Sequence, residues 1–284
     1  MKSKIMALAV LGAVVASAQA QITVFSNGPT GDNFTVAGGT AQGAVVSSFM
    51  GPNNSQWAYR DVRGGATVGI NTNVARSGNG SVYMTSNSSA AQLNISLLAN
   101  PVSPAGNPTS NGVFAPLNTL SALSIDMFTS NASTAGLTPV VRFELFNPTG
   151  TAGVNSFLQL VFDPLANGLT FNQGSWNSFD IFANRSTYTL TATSGSGSAF
   201  QVGAQTLDWW MNNTPSNLFV YAMSAGVGSG MSPYFEGAID NFGIGFGGAN
   251  AVYNFEAVPE PGTLSVLALA AWLKRRRMAK KAQA

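Results

Sequence analysis

Val140-Val141-Arg142-Phe143-Glu144-Leu145-Phe146 carries the pattern that decides the fold. Successive side chains of an extended chain point to opposite sides. Val141, Phe143 and Leu145 therefore share one face, and Arg142 and Glu144 share the other. The period is two rather than 3.6, which predicts a strand with one face in a core and a surface ion pair on its back. The same alternation recurs outward from this stretch. In 120–128, Leu123, Ile125 and Met127 oppose Ser124 and Asp126, and in 156–162 Leu158, Leu160 and Phe162 share a face. In Ser77-Gly-Asn-Gly-Ser-Val-Tyr-Met-Thr85 a glycine-rich turn feeds a strand with Val82 and Met84 on one side and Tyr83 and Thr85 on the other. Apolar stretches are short and bounded by Gly, Asn and Pro, and long runs of helix formers are missing. Further strands are expected at 22–25, 44–50, 56–62, 66–70, 93–98, 188–193, 217–223 and 234–244, while 207–211 fits a short helix or an edge strand. The expectation is an all-β body, one antiparallel β-sandwich over residues 21–256, a length within reach of a single domain.

Charge is distributed unevenly. Of 13 basic residues, eight lie in the two flanking segments, leaving Arg60, Arg63, Arg76, Arg142 and Arg185 in the body. Those five face ten carboxylates, so the body carries a net charge of −5 although the chain as a whole is at +2. A lysine-free, mildly acidic body has no electrostatic footprint for phosphate, and nucleic acid is not an expected partner. The chain has no Cys and no His. Disulfides, Ser-His-Asp or Cys-His catalysis and zinc sites of the usual ligands are thereby excluded.

The ends read as addresses. Lys2 and Lys4 precede a short apolar run, and Ala18-Gln19-Ala20 supplies small residues for a signal peptidase, so residues 1–20 read as a secretory signal cleaved after Ala20. The other end, 257–284, begins Val258-Pro259-Glu260-Pro261-Gly262, continues with an apolar run over 263–273 and closes with Lys274, Arg275, Arg276 and Arg277. The prolines hold Glu260 in an extended segment that a protease cleft accepts, and the basic cluster stops translocation. Eleven helical residues rise only about 16 Å against a hydrocarbon core of about 30 Å, so this membrane helix needs bilayer thinning or snorkelling of Lys274 and Arg275.

In the order of its parts the tail resembles the PEP-CTERM sorting segment. That resemblance implies recognition by an exosortase-like membrane protease, transient anchoring in the inner membrane, and release to the cell surface or to an extracellular polysaccharide matrix. Two stretches of the body are similar to carbohydrate-binding and galactose-binding-like jelly rolls. One is the Ser77–Thr85 turn and strand; the other is Gly237-Ala-Ile-Asp240-Asn-Phe-Gly-Ile244, which looks like their last strand. The resemblance implies a jelly-roll fold and a structural calcium ion held by Asp240, with Asp32 as its N-terminal partner; a strand-end Asp capping a turn is the competing reading.

Trp57, Tyr59, Trp176, Trp209 and Trp210 are either sandwich core or a sugar-stacking platform. If Trp209 and Trp210 lie in a strand, one of them faces out. With Asp208, Asn212 and Asn213 alongside, this pair is the sequence's candidate sugar site. A glycosidase needs two facing carboxylates. Glu144, Asp163, Asp180 and Glu236 are available, but no spacing selects a pair. The expectation is thus a non-catalytic exported surface or matrix protein associated with exopolysaccharide. Its alternatives are a sugar-binding module built on Trp209 and Trp210 and, third, a carboxylate-based glycoside hydrolase. Calcium is the one cofactor the sequence suggests.

Overall fold

The computed structural model describes residues 19–35, 57–60, 62, 65–86, 93–98, 115–133, 135–147, 157–195, 202–228 and 234–259, with 269, 272 and 274. In chain order its first strands are β1 (Ala20–Pro29), β2 (Phe34–Thr35), β3 (Trp57–Arg60), β4 (Thr67–Asn71), β5 (Ser81–Ser86), β6 (Leu93–Leu98), β7 (Ala115–Pro116) and β8 (Leu120–Ala132). There follow β9 (Val140–Phe146), β10 (Phe157–Phe162), β11 (Trp176–Asp180), β12 (Thr189–Gly195), β13 (Ala204–Thr206), helix α1 (Leu207–Asn213), β14 (Phe219–Val227), β15 (Phe235–Phe246) and β16 (Ala249–Val258).

Two eight-stranded sheets result. In sheet A, β15 is the spine. β8 pairs along one edge of it, with β11 beyond. The opposite edge is shared: β5 takes Phe235–Ile239 and β16 takes Phe242–Phe246. The fork falls where the β15–β8 register shifts between Asp240 and Gly243, and Asn241 there adopts φ +49. A bulge of this kind bends a strand and re-aims its side chains. β4 and β2 continue sheet A beyond β5, and β1 lies beyond β16. Sheet B runs β13-β12-β10-β9-β14-β6-β3, with β7 on β14.

The sheets meet face to face over one core, as a β-sandwich. Trp57 of sheet B packs edge-on against Phe242 and Phe255 of sheet A, with ring centroids 5.6 and 5.1 Å apart. Phe162 of sheet B meets Phe179 of sheet A at 6.2 Å. The inward residues read from the alternation, Leu123, Ile125, Met127, Val141, Phe143, Leu145, Leu158, Leu160 and Phe162, are all buried in this core.

Three expectations need correction. The sandwich is not wholly antiparallel, since β1 pairs with β16 in parallel. Parallel neighbours need a long crossover, and here nearly the whole body separates the two strands. Arg142 and Glu144 are not on the surface: each is only 6% exposed, and the Tyr221 hydroxyl donates to Glu144 at 2.6 Å. Alternation assigned their face correctly, but β9 is central in its sheet, between β10 and β14, and that face is covered too. β15 is not the last strand, because β16 follows it. Segment 207–211, expected as a short helix or an edge strand, is the helix: the Thr206 side chain accepts from the Trp209 N–H, and Asp208 sits in the first turn, a normal helix start.

The strand expected at 44–50, the signal segment through Ala18, and Glu260, Pro261, Arg275, Arg276 and Arg277 lie outside the described residues. Among the described residues no helix is long and apolar enough to cross a membrane.

Candidate functional site

Helix α1 decides the fate of the tryptophan pair. In a helix, neighbouring residues diverge by about 100° rather than 180°, so Trp210 turns fully into the core while Trp209 lies half-buried beside it. The Trp210 indole N–H donates to the Leu190 carbonyl at 2.9 Å, and its ring meets Trp209 edge-on at 5.0 Å. Trp209 itself packs on the core, and Asp208 pairs with Arg185 at 2.9 Å. Trp210 is therefore a core residue, and of the residues expected to form a sugar site Trp209 and Asp208 keep partly exposed surface. Trp57 and Tyr59 are core residues as well, 1% and 0% exposed.

The outward rings lie elsewhere. On sheet A, Trp176 of β11 stands opposite Phe128 of β8, Phe128 opposite Ala238 of β15, Ala238 opposite Tyr83 of β5, and Tyr83 opposite Gly69 of β4. Their chain neighbours Met127, Ile239, Val82 and Ile70 are fully buried or nearly so, so this row occupies the outer face. Trp176, Phe128 and Tyr83 are half-buried, and none of them belongs to the aromatic set packed on the core. Phe128 and Trp176 touch at 5.6 Å. Three interstrand steps separate Trp176 from Tyr83, about 14 Å.

Polar groups flank the row. Glu236 accepts from the Tyr83 hydroxyl at 2.5 Å and from the Tyr234 hydroxyl at 2.8 Å. The Tyr83 bond, with that of Tyr234, holds the Glu236 carboxyl below its usual range against an opposing contribution from burial. Burial first, then Glu236, push the Tyr83 phenol well up, so it stays protonated. Beside Tyr83 lies a cavity of about 410 Å³ whose walls include Thr67, Asn71, Asn73 and Thr85.

The opposite flank is a carboxylate cluster. Asp240 accepts from the Phe255 N–H at 2.9 Å and the Ser77 N–H at 3.2 Å, and burial pushes its carboxyl up to about 7. Asp126, directly across from Asp240, accepts from Arg76 Nε at 3.0 Å and from the Asn241 amide at 2.8 Å. Glu256 accepts from the Asn79 N–H at 2.6 Å. Gly78, at φ +83, lies where any Cβ would run into the Glu256 carboxylate. The turn over 77–80 and the Asp240 stretch, picked out separately in the sequence, are thus bonded to each other.

Asp32 lies among a different set of partners. Its oxygens accept from the Asn27 N–H at 2.9 Å and from the Tyr59 hydroxyl at 2.8 Å, while Tyr59 in turn accepts from the Ile70 N–H at 2.9 Å. Asp240 and Asp32 share no partner among these bonds. Among the described residues, no three of Asp, Glu, His and Cys gather to hold a metal ion.

Sequence reasoning missed the Trp176–Phe128–Tyr83 row because its members come from three strands far apart in the chain. Only the strand order and register bring them together. Comparison with family models, with curated proteins and with solved structures finds no match to this chain.

Proposed function

We propose that the chain is an exported, non-catalytic surface or matrix protein with a jelly-roll-like body, associated with extracellular polysaccharide through the outer face of sheet A. Export rests on the charged, apolar, small-residue order of 1–20. Sorting rests on Pro259-Glu260-Pro261 followed by the apolar run and Lys274 to Arg277. In this reading signal peptidase and an exosortase-like protease process the two ends, and the inner membrane is a transient station.

The observation that carries the sugar contact is the cross-strand row of Trp176, Phe128 and Tyr83, rings turned away from a core that has its own aromatic set. Ring faces flanked by hydroxyl and amide groups suit the apolar faces and polar edges of sugars. The non-catalytic part of the reading is supported by Glu236. A glycosidase acid needs a raised pKa within reach of substrate; tyrosine hydroxyls hold Glu236 in the charged form, and Asp240, whose carboxyl is raised, is wholly buried and bonded by the Ser77 and Phe255 N–H groups.

The test is sedimentation of the full chain with insoluble polysaccharides: cellulose, chitin and curdlan. Wild type is expected to co-sediment with at least one of them, and Trp176→Ala to lower the bound fraction severalfold. Absence of wild-type binding to all three, or full retention by Trp176→Ala, overturns the sugar contact. Mass spectrometry of exported protein tests the addresses. Termini at Gln21 and ahead of Ala284 are expected, and an exported form that keeps Met1 or Ala284 overturns them.

A further inference from the structure

The cavity next to Tyr83 has a chemistry of its own. Its walls come from β4 and β5 and from the loop that joins β1 to β2. They present Thr67, Asn71, Asn73 and Thr85 from below and Thr30 and Asn33 from the rim. All are neutral, and each can both donate and accept. Among the described lining residues there is no Lys and no Arg. The charges bordering the space are carboxylates, Asp32 in the wall and Glu236 behind the Tyr83 hydroxyl.

Both carboxylates are already engaged. Glu236 gives its two oxygens to Tyr83 and Tyr234, and Asp32 gives its oxygens to Asn27 and Tyr59. These bonds fix the walls. The two carboxylates also set a negative field that repels an acidic guest. Tyr83 is held between Glu236 and Asn73, so its ring orientation is fixed before any guest arrives. That removes an ordering cost from binding.

The rim is built rather than loose. Thr30 takes φ +67, a conformation in which a β-branched residue is an outlier. It is held by a bond from the Asp32 N–H to the Ile70 carbonyl at 2.7 Å just beyond it, and by the Thr30 N–H on the Val258 carbonyl at 3.4 Å. A Cβ at Gly69 would run into the Asp32 carbonyl, so the loop lies directly on the sheet beside Tyr83.

We infer that this cavity is a subsite for an uncharged, hydroxyl-rich ring, a neutral sugar residue of a glycan that runs on along the Tyr83–Phe128–Trp176 row, and that it discriminates against uronic acids and phosphorylated sugars. The inference rests on the reading of sheet A as a glycan face and adds the class of glycan. A volume of about 410 Å³ lies within the range of small-ligand sites. Neutral hydroxyls match the Thr and Asn walls, whereas a sugar carboxylate would meet Asp32 and Glu236 with no base among the described lining residues to pair it.

The test is titration calorimetry on the full chain in detergent, with cellohexaose, maltohexaose and chitohexaose as neutral probes and oligogalacturonate as the acidic one. Thr85→Arg fills the cavity and adds a charge at a half-buried site, and Asn71→Ala removes a wall amide. Trp176→Ala removes the far end of the row. Saturable binding of a neutral probe, no measurable oligogalacturonate binding, and at least a tenfold loss of affinity in both Thr85→Arg and Asn71→Ala support the inference. Neutral binding that survives both cavity variants but falls in Trp176→Ala overturns the subsite and leaves the glycan face standing. Oligogalacturonate bound as tightly as the neutral probes overturns the class. Absence of binding to all four probes overturns both readings. Unchanged thermal melts of the two cavity variants separate lost binding from lost fold.

Discussion

Trp210→Ala tests the placement of helix α1 most directly. The Trp210 side chain is wholly buried, and its indole N–H bonds to the Leu190 carbonyl at 2.9 Å. Truncating a buried tryptophan to alanine costs about 3–5 kcal/mol through lost burial and the cavity left behind. The stranded Leu190 carbonyl adds about 1 kcal/mol or more, because Leu190 is fully buried on a strand flanked by β10 and β13. The expected loss is about 4–6 kcal/mol, a large share of the stability of an ordinary domain. For a body of this size each kcal/mol moves Tm by roughly 2–4 °C, which gives a drop of about 8–24 °C. Trp209→Ala, at a half-buried ring, is expected to cost less than half as much. Urea unfolding followed by far-UV circular dichroism measures both, free of the fluorescence that either change removes. If Trp210→Ala costs under about 1 kcal/mol, or if it abolishes polysaccharide binding while the fold keeps its stability, the ring is not where the core needs it and the placement is wrong.

Other perturbations follow from the same geometry. Burial pushes the Asp240 carboxyl up to about 7 in the folded protein, against an ordinary value near 4 when unfolded. The fold therefore holds a proton that the unfolded chain releases. Its stability from this group is fully present below about pH 4 and declines as pH rises through about 7. A three-unit gap corresponds to about 4 kcal/mol, net of the Ser77 and Phe255 N–H bonds that favour the charged form. The urea midpoint should fall between pH 5 and pH 8, and Asp240→Asn should flatten that slope; equal slopes in both proteins refute the assignment. Gly78→Ala meets both a positive φ and the Glu256 carboxylate, and should cost about 2 kcal/mol by urea denaturation, where a neutral result would mean that the turn over 77–80 is not clamped by Glu256. Thr206→Ala removes the cap on the Trp209 N–H and should cost about 1 kcal/mol, with Thr206→Ser restoring most of it.

The strands read most clearly in the sequence are those whose two faces differ. β8, β9 and β10 alternate strictly and were legible in place, type and inward face. Arg142 and Glu144 show the limit of that signal: alternation tells which residues share a face but not whether the second face is covered, which depends on neighbours far along the chain. β16 also alternates, with Tyr253, Phe255 and Ala257 on one side and Asn254 and Glu256 on the other. Helix α1 is seven residues long, too short for its period to stand out, and the signal that could have identified it was Thr206 followed by Asp208 in the first turn. The row on sheet A was the least legible part. Trp176 was visible as a candidate ring, but Phe128 and Tyr83 become its neighbours only once β15 is known to lie between β8 and β5.

A body without cysteine and with few cations has to close its loops by other means, and the carboxylates do so. Asp32 ties Asn27 to Tyr59; Asp240 ties the turn over 77–80 to β16; Glu256 holds the Asn79 N–H and the Asn254 amide; Glu236 joins two tyrosines. Most of the donors are backbone N–H groups, amides or phenols rather than Lys or Arg. Where the acceptor is held charged, as at Glu236, such bonds are each worth about 1.5–3 kcal/mol, more than an exposed ion pair, and they do not depend on a mobile cation that salt can screen. The acidic balance of the body, read at first only as an argument against phosphate ligands, thus has a structural cause. Two of these ties, at Asp32 and Glu236, border the space beside Tyr83 and give it a negative field, which disfavours acidic guests.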